Sequence, residues 1–248
     1  MSALLEVVEL SVDFGGLRAV DEVSLSVQSD RIMGLIGPNG AGKTTTIDAL
    51  CGFVASHGRV DLGGDRIDAL PPHQRARNGL VRTFQSVELF DDLTVRENLL
   101  VAATTTRWWS PFVDAIAPRR TARIANIDFA MDVVGLRDLA DARPGALSHG
   151  QRRLAGVARA LALHPRLVLL DEPAAGLDPA ETAELGRVLR SLPGAGIGVL
   201  LVDHDMTLVL DVCDELTVLN FGRVIATGSP NAVREDPAVI AAYLGGVV

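Results

Sequence analysis

Apolar and polar positions follow two different periods along this chain, and the change of period divides it into three stretches. Residues 4–10 and 22–27 alternate, with Val23, Leu25 and Val27 on one side, as half-buried strands do. Residues 32–36, 167–170 and 198–202 are instead continuous apolar runs of strand length. Runs this apolar suit central strands of a parallel sheet, buried on both faces. Residues 58–67 form a hairpin pattern around Gly63-Gly64, and residues 80–84 read as a strand ending at Gln85. A second hairpin pattern, 216–219 with 224–227, surrounds Phe221-Gly222-Arg223.

Between about Ser86 and His164 the period becomes helical. Thr94 and Glu97 make a capping box ahead of one apolar helix, which Trp108-Trp109-Ser110-Pro111 breaks; a second helix spans about 119–134. The two tryptophans fit packing or an interface better than a ligand cage. Ser148 and Gln151 form another capping box, starting a helix with Leu154, Val157, Ala158 and Leu161 on one face and a stop at His164-Pro165. A cap accounts for Ser148 but not for Gly150, since glycine inside a helix costs up to about 1 kcal/mol against alanine. Its presence points to a close approach to that backbone. Asp178-Pro179-Ala180-Glu181 caps a further helix carrying Leu185, Val188, Leu189 and Leu192, and Met206, Val209, Leu210 and Cys213 form the apolar stripe of another. Two short helices close the chain.

The candidate chemistry centres on Gly37-Pro38-Asn39-Gly40-Ala41-Gly42-Lys43-Thr44, a G-x-x-x-x-G-K-[ST] phosphate loop between an apolar strand and a helix. Its glycines let successive N–H groups face one anion, and the following helix adds its positive end. Lys43 brings a point charge to the β/γ-phosphates, and the Thr44 hydroxyl is placed to ligate Mg²⁺. With a phosphate loop present, Asp171 is suited to hold Mg²⁺ through water and Glu172 to take a proton from attacking water; without it they would read as solvated loop acids. Gln85 is either an ordinary strand end or a ligand that holds metal or orients water. His204, in Asp203-His204-Asp205, sits where α/β sheets bind ligands, at a strand's C-terminal end. Phe14, in the turn Asp13-Phe14-Gly15-Gly16, is either core or a base-stacking face.

Composition narrows the setting. The 248 residues suit one α/β domain with a smaller subdomain. Hydrophobic residues make up 48%, yet no run approaches the roughly 20 residues a membrane span needs. Glu6 and Glu9 interrupt any leader-like pattern at the start, so a soluble, intracellular protein is expected. Two cysteines, Cys51 and Cys213, provide neither a disulfide framework nor a metal cluster, and both lie in apolar stretches that bury thiols. The net charge of −8 opposes a broad nucleic-acid surface.

Taken together, the phosphate loop, Gln85, Leu147-Ser148-His149-Gly150-Gln151, the Asp171-Glu172 strand and His204 resemble the ATP-binding subunit of ABC transporters. The segment around Ser148 is decisive, because it is similar to that superfamily's signature and other phosphate-loop ATPases lack it. Finer details resemble the branched-chain amino-acid importer branch: Asp13 to Val20, Arg82-Thr83-Phe84-Gln85, Asp171 to Leu177, His204-Asp205-Met206 and Ala242-Tyr243-Leu244-Gly245. His149 stands where the superfamily most often has glycine, and adds an ionisable group beside the signature.

The resemblance implies an α/β fold: a RecA-like phosphate-loop core (about 1–85 and 165–248) with an antiparallel β subdomain and an inserted α-helical subdomain (about 86–164). It implies that Phe14 stacks on adenine, that Gly37 to Thr45 hold the triphosphate of ATP and Mg²⁺, and that Gln85 completes the metal site. Asp171 would hold Mg²⁺ through water, Glu172 would be the general base and His204 would contact the γ-phosphate. Ser148, Gly150 and Gln151 belong to the signature that reaches ATP on a second subunit, identical or homologous, with Asp178 at the seam. Implied partners are integral membrane permease subunits, at the cytoplasmic face of the cell membrane, and an extracytoplasmic solute-binding protein. A soluble ABC ATPase acting on DNA or ribosomes is the alternative; the short stretch from Gln85 to Ser148 leaves no space for a long coiled-coil arm. A regulatory module without turnover conflicts with intact Glu172 and His204.

Overall fold

The computed structural model describes residues 3–83, 89–104 and 118–244. Gln85 and the Trp108-Trp109 pair lie outside them. The chain opens with the antiparallel pair β1 (Leu5–Phe14) and β2 (Leu17–Val27), then enters β3 (Ile32–Ile36), the phosphate loop and α1 (Lys43–Cys51). The hairpin of β4 (His57–Leu62) and β5 (Asp65–Arg66) follows, then α2 (Pro72–Arg77) and β6 (Leu80–Arg82). Helices α3 (Val95–Ala103), α4 (Pro118–Val133) and α5 (His149–Leu161) come next. The remainder alternates: β7 (Leu167–Asp171), α6 (Pro179–Ser191), β8 (Gly198–Val202), α7 (Met206–Val212), β9 (Glu215–Asn220), β10 (Arg223–Gly228), α8 (Pro230–Glu235) and α9 (Pro237–Leu244).

Two sheets result. The smaller is antiparallel, in the order β2-β1-β4-β5. The larger has the order β10-β9-β3-β8-β7-β6, parallel throughout except for β10 at its edge. Strand parity explains why the central runs are apolar at every position. Ile32, Ile36, Val168, Leu170, Val199 and Leu201 face one core, shared with α3 to α7. Met33, Leu35, Leu167, Leu169, Leu200 and Val202 face the other, shared with α1 and the smaller sheet. Each central strand therefore has no polar face.

Both predicted capping boxes are present, with reciprocal side-chain and backbone bonds at Thr94/Glu97 and Ser148/Gln151, and the predicted Asp178 cap proves to be a third, with Glu181. Other boundaries differ from the sequence reading. The first two strands are longer than their alternating segments, because β1 and β2 pair almost to the Gly15-Gly16 turn. Strand β6 stops at Arg82, with Phe84 outside the described residues, and α5 ends at Leu161, a turn before His164-Pro165. Of the expected stripe on helix α7, Val209 and Cys213 are buried and Met206 packs on the core, while Leu210 faces outward and Leu208 and Val212 are buried in addition. Cys51 and Cys213 are buried free thiols, and burial pushes each to a pKa of about 12. Among the described residues, no helix is long and apolar enough to cross a membrane.

Candidate active site

The phosphate loop fits only because two of its glycines carry no side chain. Gly37 has φ 149°, and a Cβ there would lie 2.1 Å from the Leu219 carbonyl oxygen. Gly42 has φ 100°, and its Cβ would lie 2.6 Å from the Ala19 carbonyl oxygen. The loop is thus wedged between β9 and β2, with Gly222 N–H donating to the Ala41 carbonyl at 3.0 Å. Lys43 Nζ donates to the carbonyls of Gly37 (2.7 Å) and Pro38 (3.0 Å), arching over the loop. Burial lowers its pKa, opposed by the negative charges of Glu172 and Asp171. Thr44 is exposed, Thr45 half-buried, and Thr46 bonds the Gly42 carbonyl through both backbone and hydroxyl.

These residues line a cleft of about 380 Å³ that Asn39, Gly40, Lys43, Thr44, Thr45 and Glu172 share with Leu17, Arg18 and Phe221. Phe221 is 86% exposed and sits at φ 44°, in the tight turn between β9 and β10. From the sequence it reads only as part of a hairpin turn; the signal that sets it apart is an aromatic where a turn ordinarily carries a small or polar residue. Phe14 is half exposed at the β1–β2 turn but is not among the residues lining that cleft.

The acidic pair lies at the end of β7, beside the cleft. Asp171 is buried, and its Oδ2 accepts from Arg82 Nη2 at 2.7 Å. Arg82 also pairs with Asp48 on α1 and stands 5.9 Å over the Phe53 ring. Burial works against the Arg82 charge, yet its bonds to Asp48 and Asp171 raise its pKa above the ordinary value. Glu172 has φ 47°, a conformation rare outside glycine, and its N–H is held by the Val202 carbonyl at 2.7 Å. Backbone strain of this kind costs of order 1–3 kcal/mol and persists where the surroundings enforce it. His204 Nδ1 lies 3.9 Å from Glu172 Oε1 and 3.7 Å from Asp203 Oδ1. Buried Asp203 fixes that corner by accepting from Ala174 N–H (3.0 Å) and Asp205 N–H (2.9 Å).

The loop, Asp171, Glu172 and His204 therefore converge at the C-terminal ends of β3, β7 and β8. The donor set suits a metal held partly by phosphate. No group of three or more His, Cys, Asp or Glu able to hold a metal occurs among the described residues. Thr44 and Asp171 instead offer oxygens alone, which fits Mg²⁺ bound through few protein ligands, substrate phosphates and water.

Ser148, Gly150 and Gln151 are elsewhere. They line a separate cavity of about 320 Å³ at the start of α5, together with Glu181 near the start of α6. Asp178 caps α6, accepting from Ala180 and Glu181 N–H at 2.8 Å. The structure thus sets the loop, Asp171, Glu172 and His204 in one place and Ser148, Gly150, Gln151 and Asp178 in another, with Phe14 lining neither cavity.

Comparison with known proteins identifies the family. Residues 20–175 match the ABC transporter family model, and residues 223–248 match the branched-chain amino acid ATP-binding cassette transporter model. The chain is 42% identical to the high-affinity branched-chain amino acid transport ATP-binding protein BraF of Pseudomonas aeruginosa, over 98% of each chain. It is equally identical, with the same coverage, to the protein LivG of Salmonella typhimurium, which carries the same description. A crystal structure of a nucleotide-free ATP-binding cassette from an ABC transporter superposes with a TM-score of 0.85 at 31% identity, covering 98% of this chain and 99% of that one. The chain belongs to the ABC transporter ATP-binding family.

Proposed function

We propose that this protein is the ATP-hydrolysing subunit of an importer for branched-chain amino acids or a related small solute, working on separate membrane permease subunits from the cytoplasmic face. The observation that supports this mechanism is that the phosphate loop and the Ser148–Gln151 segment line two separate cavities on one chain. The phosphate loop with Lys43 cradles the triphosphate of ATP, and Thr44 with Asp171 holds Mg²⁺, which offsets phosphate charge when bound. Glu172 takes the proton of the attacking water, and His204 steadies the γ-phosphate. Gln85 completes the metal site. Ser148 and Gly150, with Gln151 fixing the cap, serve ATP on a second subunit, identical or homologous, with Asp178 at the seam. Two subunits close on two ATP and reopen after hydrolysis.

The segment from about 86 to 164 passes that motion to the permease, and residues 1–85 and 165–248 form the core. A cleft of about 330 Å³ between β6, α3 and α5, with exposed Phe90, Val101 and Leu163 at it, supports the placing of this contact. An extracytoplasmic binding protein delivers the solute. The test is reconstituted uptake: permease vesicles with this subunit should accumulate leucine, isoleucine or valine with ATP, and not when Glu172→Gln replaces it. Uptake that persists with Glu172→Gln defeats the coupling. ATP turnover without uptake of any such solute, but stimulated by ribosomes or DNA, would favour the soluble alternative.

A further inference from the structure

The close approach to Gly150 that the sequence calls for is made within the chain itself. Glu181 Oε1 accepts from the Gly150 N–H at 2.8 Å and from the Ser148 hydroxyl at 3.2 Å. A Cβ at Gly150 would lie 2.8 Å from Glu181 Cγ, Cδ and Oε1, so a larger residue there would push this carboxylate from its place. The other oxygen, Oε2, accepts from Asp178 N–H at 3.3 Å. One acidic side chain thereby bridges the N-terminal ends of α5 and α6, where negative charge is favoured. The donors it occupies, a helix N–H and the capping hydroxyl, are those a phosphoryl oxygen would require. A carboxylate and a phosphate cannot share them, because both are anions competing for the same hydrogens.

We infer that Glu181 is an internal stand-in for phosphate, holding the Ser148–Gly150 donors until ATP carried by a second subunit displaces it. This rests on the two-subunit reading given above. The exchange needs the γ-phosphate, since only that group is to reach these donors; ADP has nothing to put in the place of the carboxylate. The bond from Asp178 N–H gives the displaced side chain an alternative partner on its own helix. Glu181 is therefore a positioning residue that sets how much ATP is needed for closure.

The test is an ATP titration of the full-length chain carrying Glu172→Gln, so that closed pairs accumulate, with mass read by light scattering. Adding Glu181→Gln keeps an acceptor for the cap but removes the charge. Charge-assisted hydrogen bonds are roughly twice as strong as neutral ones, so the half-maximal ATP concentration should fall about three- to tenfold. Glu181→Ala should lower it at least as far, and ADP should pair none of the variants. With Glu172 intact, Glu181→Gln should lower KM for ATP more than it changes kcat, which a loss of packing would not do. A folded Glu181→Gln protein with an unchanged or raised threshold overturns the inference. If the Glu172→Gln chain binds ATP yet stays monomeric at saturation, pairing of identical subunits fails first and takes the inference in this form with it.

Discussion

The phosphate loop and the start of α5 are built on opposite plans. The loop before α1 is wedged between carbonyls of β2 and β9, and its charged neighbours come from strand ends buried on both faces. Glu172 and Phe221 both sit there at positive φ, so the backbone is held in conformations it would not choose alone. The start of α5 instead uses ordinary capping residues, Ser148 and Gln151, and its anion-binding groups are already satisfied by Glu181. The first region is shaped for a ligand by strain and burial. The second is satisfied by the chain's own groups. The loop is therefore expected to hold nucleotide in a single subunit, whereas the signature is expected to act only in a pair.

The strongest way to break this contrast is at Glu172. Glu172→Gln should keep nucleotide binding and lower hydrolysis by roughly 10²–10⁴-fold, the size of a general-base contribution. Phosphate release measured beside equilibrium ATP binding separates the two; unchanged turnover would move the catalytic base elsewhere. Next comes Arg82, whose removal strands Asp171 and Asp48. Arg82→Met should cost about 2–4 kcal/mol of unfolding free energy, less than for a fully buried triad because Asp48 is partly exposed. A urea midpoint equal to the parent's would show that the cluster is unimportant to the loop region's rigidity.

Much of the loop region was legible in the sequence because its devices are local. Gly37 to Thr44 is a contiguous pattern, Asp171-Glu172 ends a run with no polar face, and each capping box spans four residues. What stayed hidden depends on contacts between distant segments. Nothing near Phe221 announces that its turn lies beside residues 39–45, since β9 reaches β3 only through the parallel sheet. The arginine that grips Asp171 comes from β6, and Glu181 was visible as a cap but not as the group packed on Gly150. The outward Leu210 of α7 has the same origin: which positions are buried depends on the packing against α6, not on the heptapeptide itself.

Lys43 sharpens the comparison further. Its ammonium already bonds two loop carbonyls, so phosphate must draw it from them rather than from water. Charge-assisted bonds contribute about 1.5–3 kcal/mol, so Lys43→Ala should weaken ATP binding by about 10- to 150-fold. Because the signature region lies in a different cavity, the same substitution should leave the Ser148–Glu181 contacts and the thermal midpoint nearly unaltered. Titration calorimetry with a parallel melting curve reads both, and a large fall in melting temperature would tie the two regions together.

The smallest effect distinguishes two aromatic faces. The resemblance to ABC subunits assigns adenine to Phe14, whereas the structure lines the loop cleft with Phe221 and leaves Phe14 outside that lining. Aromatic stacking contributes about 0.5–1.5 kcal/mol beyond buried area, so removing whichever ring meets the base should weaken ATP binding by about two- to twelvefold. Inorganic tripolyphosphate has no base, and its affinity should not respond to either change. If Phe14→Ala alone produces the ATP-specific loss, the base lies along the β1–β2 turn and Phe221 serves only the hairpin. If Phe221→Ala produces it, the base lies toward β9 and β10. Equal losses for ATP and tripolyphosphate would mean that neither ring stacks, and that the substitution has instead disturbed the wedge that shapes the loop.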